Sequence, residues 1–164
     1  MVAILSIGEA LVEVMRAERD LPLNQPGPLV GPYPSGAPAI LASAAARLGA
    51  SVGFCGTVGE DAFGDCVWRR LAVDGIDCTA LRRTRERPTG IAFVAYASSG
   101  ERSFLFTLAH SAAALVDSAQ LSPGHLDGVR YLHVMGSALT LSDSLRETIY
   151  RAAEHVHAHG GAIS

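Results

Sequence analysis

Residues 38–73 read PAILASAAARLGASVGFCGTVGEDAFGDCVWRRLAV, and the punctuation of this stretch decides the fold. Pro38 opens an alanine-rich run and Gly49 stands just past its end, the asymmetry expected of a helix over 38–48. The small residues along that helix fit close packing against a sheet. Residues 51–57 form a short apolar strand. Asp61 can cap a second helix over about 62–73, with Phe63, Cys66, Val67 and Leu71 on one face and Gly75 as its stop. Helix, strand and helix in this rhythm predict an α/β fold with a mainly parallel sheet flanked by helices.

Upstream, residues 2–15 (VAILSIGEALVEVM) are β-branched and aliphatic and read as one strand kinked at Gly8. Residues 21–36, dense in Pro and Gly, read as an irregular loop. Downstream, residues 89–97 and 102–107 are β-prone and joined by Ser98-Ser99-Gly100-Glu101, a hairpin signature. A hairpin inserted in an α/β chain is expected to serve as a small lid at about 89–107. Residues 131–135 resume the strand pattern. Ser142 can cap an amphipathic helix to about His159, with Leu145, Ile149, Ala152, Ala153 and Val156 facing the core. Residues 162–164 look like the opening of another strand.

Composition narrows the function. A chain of 164 residues suits one domain, and 49% hydrophobic with 18% charged residues excludes a disordered one. No apolar run is long enough to cross a bilayer, and the first apolar stretch has neither a basic leader nor a cleavage site. A cytoplasmic protein with no membrane partner is expected. Cys55, Cys66 and Cys78 are odd in number and widely spaced, as for reduced, buried thiols. A net charge of -3 gives no reason to expect nucleic acid. All 13 basic residues are arginine, so a Walker A lysine and Schiff-base chemistry are both excluded.

Six stretches in register carry a family resemblance: GEALVE (8–13), SGAPAI (35–40), GTVGEDAFG (56–64), RPTGIAFV (87–94), GERSFLF (100–106) and VMGSAL (134–139). Together they resemble the ribokinase (PfkB) family of carbohydrate kinases. The resemblance implies a ribokinase-like α/β domain with a β-hairpin lid over the sugar. It also implies a kinase that moves the γ-phosphate of ATP to a sugar hydroxyl, with Mg2+ and possible use of a monovalent cation, and a homodimer through the lid. Glu13 would accept sugar hydroxyls at the end of the opening strand, and Gly36 would let the ligand approach the backbone. Ser35, Ala37, Ile40, Phe106, Leu108, His110 and Gly136 complete the implied sugar-binding set. The family's catalytic GAGD-type loop and most of its nucleotide and cation residues lie in a C-terminal half. Residues 1–164 hold no such loop, so they correspond to an N-terminal part that does not phosphorylate by itself.

Departures from the family pattern bear on the substrate. Ser35 stands where a second glycine is usual, and Ile40 where an asparagine contacts sugar. Relatives acting on 2-keto-3-deoxygluconate carry Tyr and Arg near Phe106 and Leu108, and their loss argues against a carboxylated substrate. Residues 26–40 with AHSA (109–112) look most like tagatose kinases, so a neutral ketohexose such as tagatose is favoured. A non-catalytic sugar-binding or regulatory fragment and a nucleoside kinase of the same family stay open. A Rossmann module does not fit, because Gly56, Gly59 and Gly64 have the wrong spacing.

Plainer readings stand beside these. Glu13 can be the polar face of a half-exposed strand, Ser35-Gly36 an ordinary turn, and Asp61 only a helix cap. Arg82, Arg83, Arg85 and Arg87 read as a solvated linker before the lid. His155 and His159 share a helix face, but no carboxylate or cysteine completes a metal set. His110 either faces the sugar or makes a structural polar contact.

Overall fold

The apolar opening run divides at Gly8 into β1 (Ile4–Ile7) and β2 (Leu11–Arg16). In this computed structural model, which describes residues 2–164, the two strands lie in different sheets and not in the one kinked strand expected. An unbroken apolar run reports burial on both strands; it carries no information about which partners each strand takes.

β1 runs parallel to β4 (Val52–Gly59) on one side and β8 (Tyr131–Val134) on the other. β5 (Leu81–Thr84) and β9 (Ala162–Ile163) extend this body sheet, giving the all-parallel order β5-β4-β1-β8-β9. Two helices, α1 (Ala37–Arg47) and α2 (Ala62–Val73), bury Ala39, Ala42, Val67 and Leu71 with Val52, Phe54 and Val58 of β4. After two short helices, α3 (Pro123–Leu126) and α4 (Gly136–Leu141), comes α5 (Asp143–Ala158). It buries Leu145, Ile149 and Val156 with Leu5, Ile7 and Leu132 in a second cluster. Each fully buried aliphatic side chain contributes roughly 1.5–3 kcal/mol. Cys55 lies in this second cluster, and burial pushes its thiol up to about 12. Asp61 and Ser142 cap α2 and α5 as expected, each accepting a hydrogen bond from a first-turn amide.

The lid is larger than a hairpin. β6 (Gly90–Tyr96) and β7 (Arg102–Phe106) form the expected antiparallel pair, but β6 also pairs in parallel with β2. β2 in turn pairs with β3 (Leu29–Ser35), giving a four-stranded sheet in the order β3-β2-β6-β7. β3 occupies what the sequence suggested was loop. Its Pro32 and Pro34 are tolerated because β3 is an edge strand, where a missing amide donor breaks few ladder bonds. β5 likewise replaces the supposed arginine linker. Arg82, Arg83 and Arg85 are engaged there with Asp117, Asp65 and Glu60. Among the described residues no helix is long and apolar enough to cross a membrane.

Two of the chain crossings between body and lid, Gly8–Ala10 and Gly36, touch each other. Gly36 has φ +105, and a Cβ there would lie 2.4 Å from the Glu9 carbonyl oxygen. Gly8 is equally confined, since a Cβ would lie 2.6 Å from Cγ of Pro38. Gly36 is therefore required to be glycine because main chain presses on main chain there. Gly36→Ala is expected to lower unfolding stability by roughly 2–3 kcal/mol, as read from urea denaturation. A change within experimental error would show that the crossings are not tightly packed.

Candidate functional site

Strand alternation in β2 sorts its side chains to two sides. Ala10 and Val12 belong to the cluster under α1 and α2, whereas Leu11 and Glu13 border a cavity of about 600 Å3 between lid and body. Glu13 is half-buried in the middle of β2, opposite Ala92 of β6 and Tyr33 of β3. It thus stands within the lid and not at the close of the opening strand. Ala92 pairs in turn with Phe106, so Glu13, Ala92 and Phe106 form one row across the lid, all three bordering the cavity. Phe104 and Phe106 stack with ring centroids 5.3 Å apart. They supply an apolar face suited to the C–H side of a ligand.

The remaining wall comes from the crossings and the body. Ser35, Gly36, Ala37 and Ile40 border the cavity where β3 turns into α1, and Leu108 borders it beyond β7. The cavity therefore brings together Glu13, Ser35, Gly36, Ala37, Ile40, Phe106 and Leu108. His110 and Gly136 are exposed and outside its lining, although their neighbours Ala109 and Ser137 are part of it. The aliphatic Ile40 fills wall where a hydrogen-bonding residue was the family expectation.

Glu9 and Ser137 are among the lining residues that escaped the sequence reading. Glu9 borders the cavity, is only 5% exposed, and accepts a hydrogen bond from Ser137 Oγ at 2.8 Å. Its other carboxylate oxygen, Oε2, is buried with no hydrogen-bond partner. The available signal was a charged residue placed directly after Gly8 in an otherwise apolar run. The lining carries two carboxylates, the hydroxyls of Ser35, Ser137 and Thr140, and no basic side chain. A second groove of about 610 Å3 lies between α1, α2 and β3 and has the opposite character. Arg47 and Arg70 line it, both paired with Asp74 at 2.9 Å, and no acidic residue does.

The lid is fastened on its far side by the GTVGEDAFG and RPTG stretches. Asp61 caps α2 through the Gly64 amide at 2.7 Å. It also accepts from the Thr89 amide and the Thr89 hydroxyl, each at 2.8 Å. The Thr89 hydroxyl accepts in turn from the Gly59 amide at 2.9 Å. A Cβ on Gly59 would meet Asp61 Oδ2 at 2.2 Å, and one on Gly64 would meet the Gly59 carbonyl at 2.0 Å. These glycines admit the anchor, and Asp61 is more than the helix cap expected. Arg16, at the end of β2, is buried and donates to the backbone carbonyls of Pro22, Leu23, Gln25 and Gly27, tying the loop before β3 to the lid. The rings of His155 and His159 stack at 4.2 Å on the exposed side of α5.

A parallel α/β body with a four-stranded lid over a cavity rich in hydroxyls and carboxylates is a ribokinase-like fold. The chain belongs to the pfkB family of carbohydrate kinases, whose family model matches residues 1–163. Fructokinase from Escherichia coli is 36% identical over 133 residues, which is 81% of this chain and 42% of that protein. Fructokinase from Klebsiella pneumoniae is 33% identical over 158 residues, 96% of this chain and 48% of that protein. An E. coli structure described as ribokinase II, solved with ATP and Mg2+, superposes with a TM-score of 0.93 at 38% identity. That alignment covers 100% of this chain and 52% of that one. The chain thus spans about half the length of the relatives it matches.

Charge at the Asp61 anchor makes it sensitive to acid. Burial raises the Asp61 carboxyl, but the Thr89 and Gly64 amides and the Thr89 hydroxyl outweigh it and hold it below the usual carboxylate range. A folded value below the unfolded one gives stability that is complete above the unfolded value and lost as pH falls through the folded one. Asp61→Asn is expected to lose roughly 1–3 kcal/mol at neutral pH. The gap to wild type should shrink below about pH 4 in denaturation titrations. A gap independent of pH would remove the charge from the account.

Proposed function

We propose that this chain is the sugar-holding part of a kinase that transfers the γ-phosphate of ATP to a hydroxyl of a neutral ketohexose. The observation that carries the reading is the lining of the cavity. Two carboxylates and three hydroxyl side chains accept and donate hydrogen bonds to a polyol, the stacked Phe104 and Phe106 offer it an apolar face, and no arginine or histidine stands ready for an anion. This supports a neutral sugar over a sugar acid such as 2-keto-3-deoxygluconate. Tagatose is supported by the wording of residues 26–40 and 109–112, and fructose by relatives named fructokinase. The two sugars differ in the configuration of one hydroxyl.

The residues described do not fit ATP and Mg2+ as they fit sugar. Among them no group of three His, Cys, Asp or Glu is placed to hold a metal, and no basic side chain faces the cavity. No phosphoryl-transfer step is therefore routed through them, and these residues are proposed not to transfer phosphate by themselves. Their part is to bind the sugar, exclude water from it under the lid and fix the orientation of the accepting hydroxyl. A sugar-binding role without catalysis is the second reading, favoured by the same absence of phosphate-binding groups.

Calorimetric titration with fructose and tagatose, each with and without ATP and Mg2+, tests both readings. Saturable binding of one ketohexose, tighter when nucleotide is present, is expected for the kinase reading. Binding unaffected by nucleotide supports the non-catalytic reading. Preference for a sugar acid or a nucleoside would overturn both.

A further inference from the structure

A buried carboxylate oxygen without a hydrogen bond is costly, so Glu9 must find a donor in the working protein. Its carboxylate is held by Ser137, and its backbone by the packing of the crossing. The backbone of Glu9 is pressed against Gly36, its Oε1 accepts from Ser137 at the start of α4, and Ala10 beside it is buried in the core. The carboxylate cannot swing away to solvent without breaking the hydrogen bond from Ser137. Glu9 itself borders the cavity, so a ligand held there is a source of the missing donor.

We infer that Glu9 is a specificity-determining residue that accepts a hydrogen bond from one particular hydroxyl of the bound sugar, with Ser137 as the positioning residue that aims it. This rests on the reading of the cavity as a sugar site and adds to it a second carboxylate besides Glu13. The two acids lie four residues apart on the same crossing and strand, one in the floor and one in the lid. They read two separate hydroxyls of a polyol. Two negative charges with no basic side chain in the lining also set a barrier against sugar acids and phosphorylated sugars. The preference for a neutral ligand is therefore built in as repulsion as well as attraction.

The test is a cycle between protein and ligand. Wild type, Glu9→Gln and Ser137→Ala are titrated calorimetrically with the preferred ketohexose, with its set of monodeoxy analogues and with gluconate, and the melting temperature of each variant is recorded. For wild type, loss of one particular hydroxyl is expected to weaken binding roughly 10-fold or more, as for a hydrogen bond to a charged group. In Glu9→Gln the same deletion is expected to cost several-fold less, and gluconate to gain on the ketohexose. If Glu9→Gln fails to fold, Ser137→Ala, which keeps the acid but loosens it, is expected to show the same loss of discrimination in part. Equal penalties for every deoxy analogue in wild type and both variants would overturn the inference, leaving Glu9 satisfied by a fixed water. Failure of wild type to bind any ketohexose would overturn the sugar reading beneath it.

Discussion

The structure depends on one close approach of backbone to backbone. The chain leaves the body sheet for the lid at Gly8–Ala10 and returns at Gly36, and the two crossings lie against each other with no room for a Cβ at Gly36. This contact fixes the relation between the two sheets. It also sets the positions of Glu9 on one crossing, Ser35 and Gly36 on the other, and Glu13 two turns of the pleat further on. Helix α1 begins at the same point, with the Ile40 amide bonded to the Gly36 carbonyl at 2.8 Å and Ser6 of β1 donating to Pro38 at 3.0 Å. The site is an outcome of this joint, since most of its polar groups lie within a few residues of it.

The second attachment works differently. At Asp61 and Thr89 the lid is held by side-chain hydrogen bonds centred on one carboxylate, and glycines on both sides clear the space that carboxylate needs. A steric joint at one end and a polar clasp at the other hold the cavity between them, with the body as floor and the lid as roof. Glu9 and Ser137 belong to the floor, whereas Glu13, Phe104 and Phe106 belong to the roof. Polar acceptors preorganised on rigid elements bind a flexible polyol with little reordering of the protein. The arrangement suits a ligand that must be gripped from two sides and kept from water.

Much of the α/β body was legible because local chemistry marks it. Proline in the first turn and glycine after the last delimit α1, Asp61 and Ser142 cap α2 and α5, and Ser98 to Glu101 mark the turn of the lid hairpin. What stayed hidden were pairings between distant segments. Residues 4–7 and 11–16 have the same apolar character, so nothing local says that one joins the body and the other the lid. β3 was concealed by its prolines, which suit an edge strand as well as a loop. β5 was concealed by arginines whose carboxylate partners Asp65 and Asp117 lie far away in sequence. For the site, the family motifs led to residues that border one cavity, but to one of its two acids. Glu9 and Glu13 are separated by an even number of residues and have the same chemistry, and only the packing at Gly36 shows that Glu9 is buried with an oxygen to spare.

The two crossings and the lid converge on a single cavity, proposed to hold a ketohexose, and amide hydrogen exchange with and without saturating ketohexose tests this most directly. Slowed exchange is expected in three places, namely residues 9–13, residues 36–40 at the start of α1, and the facing strands β6 and β7, with the outer helices unchanged. Slowing confined to the groove between α1 and α2 around Arg47 and Arg70, or none in the lid, would contradict it.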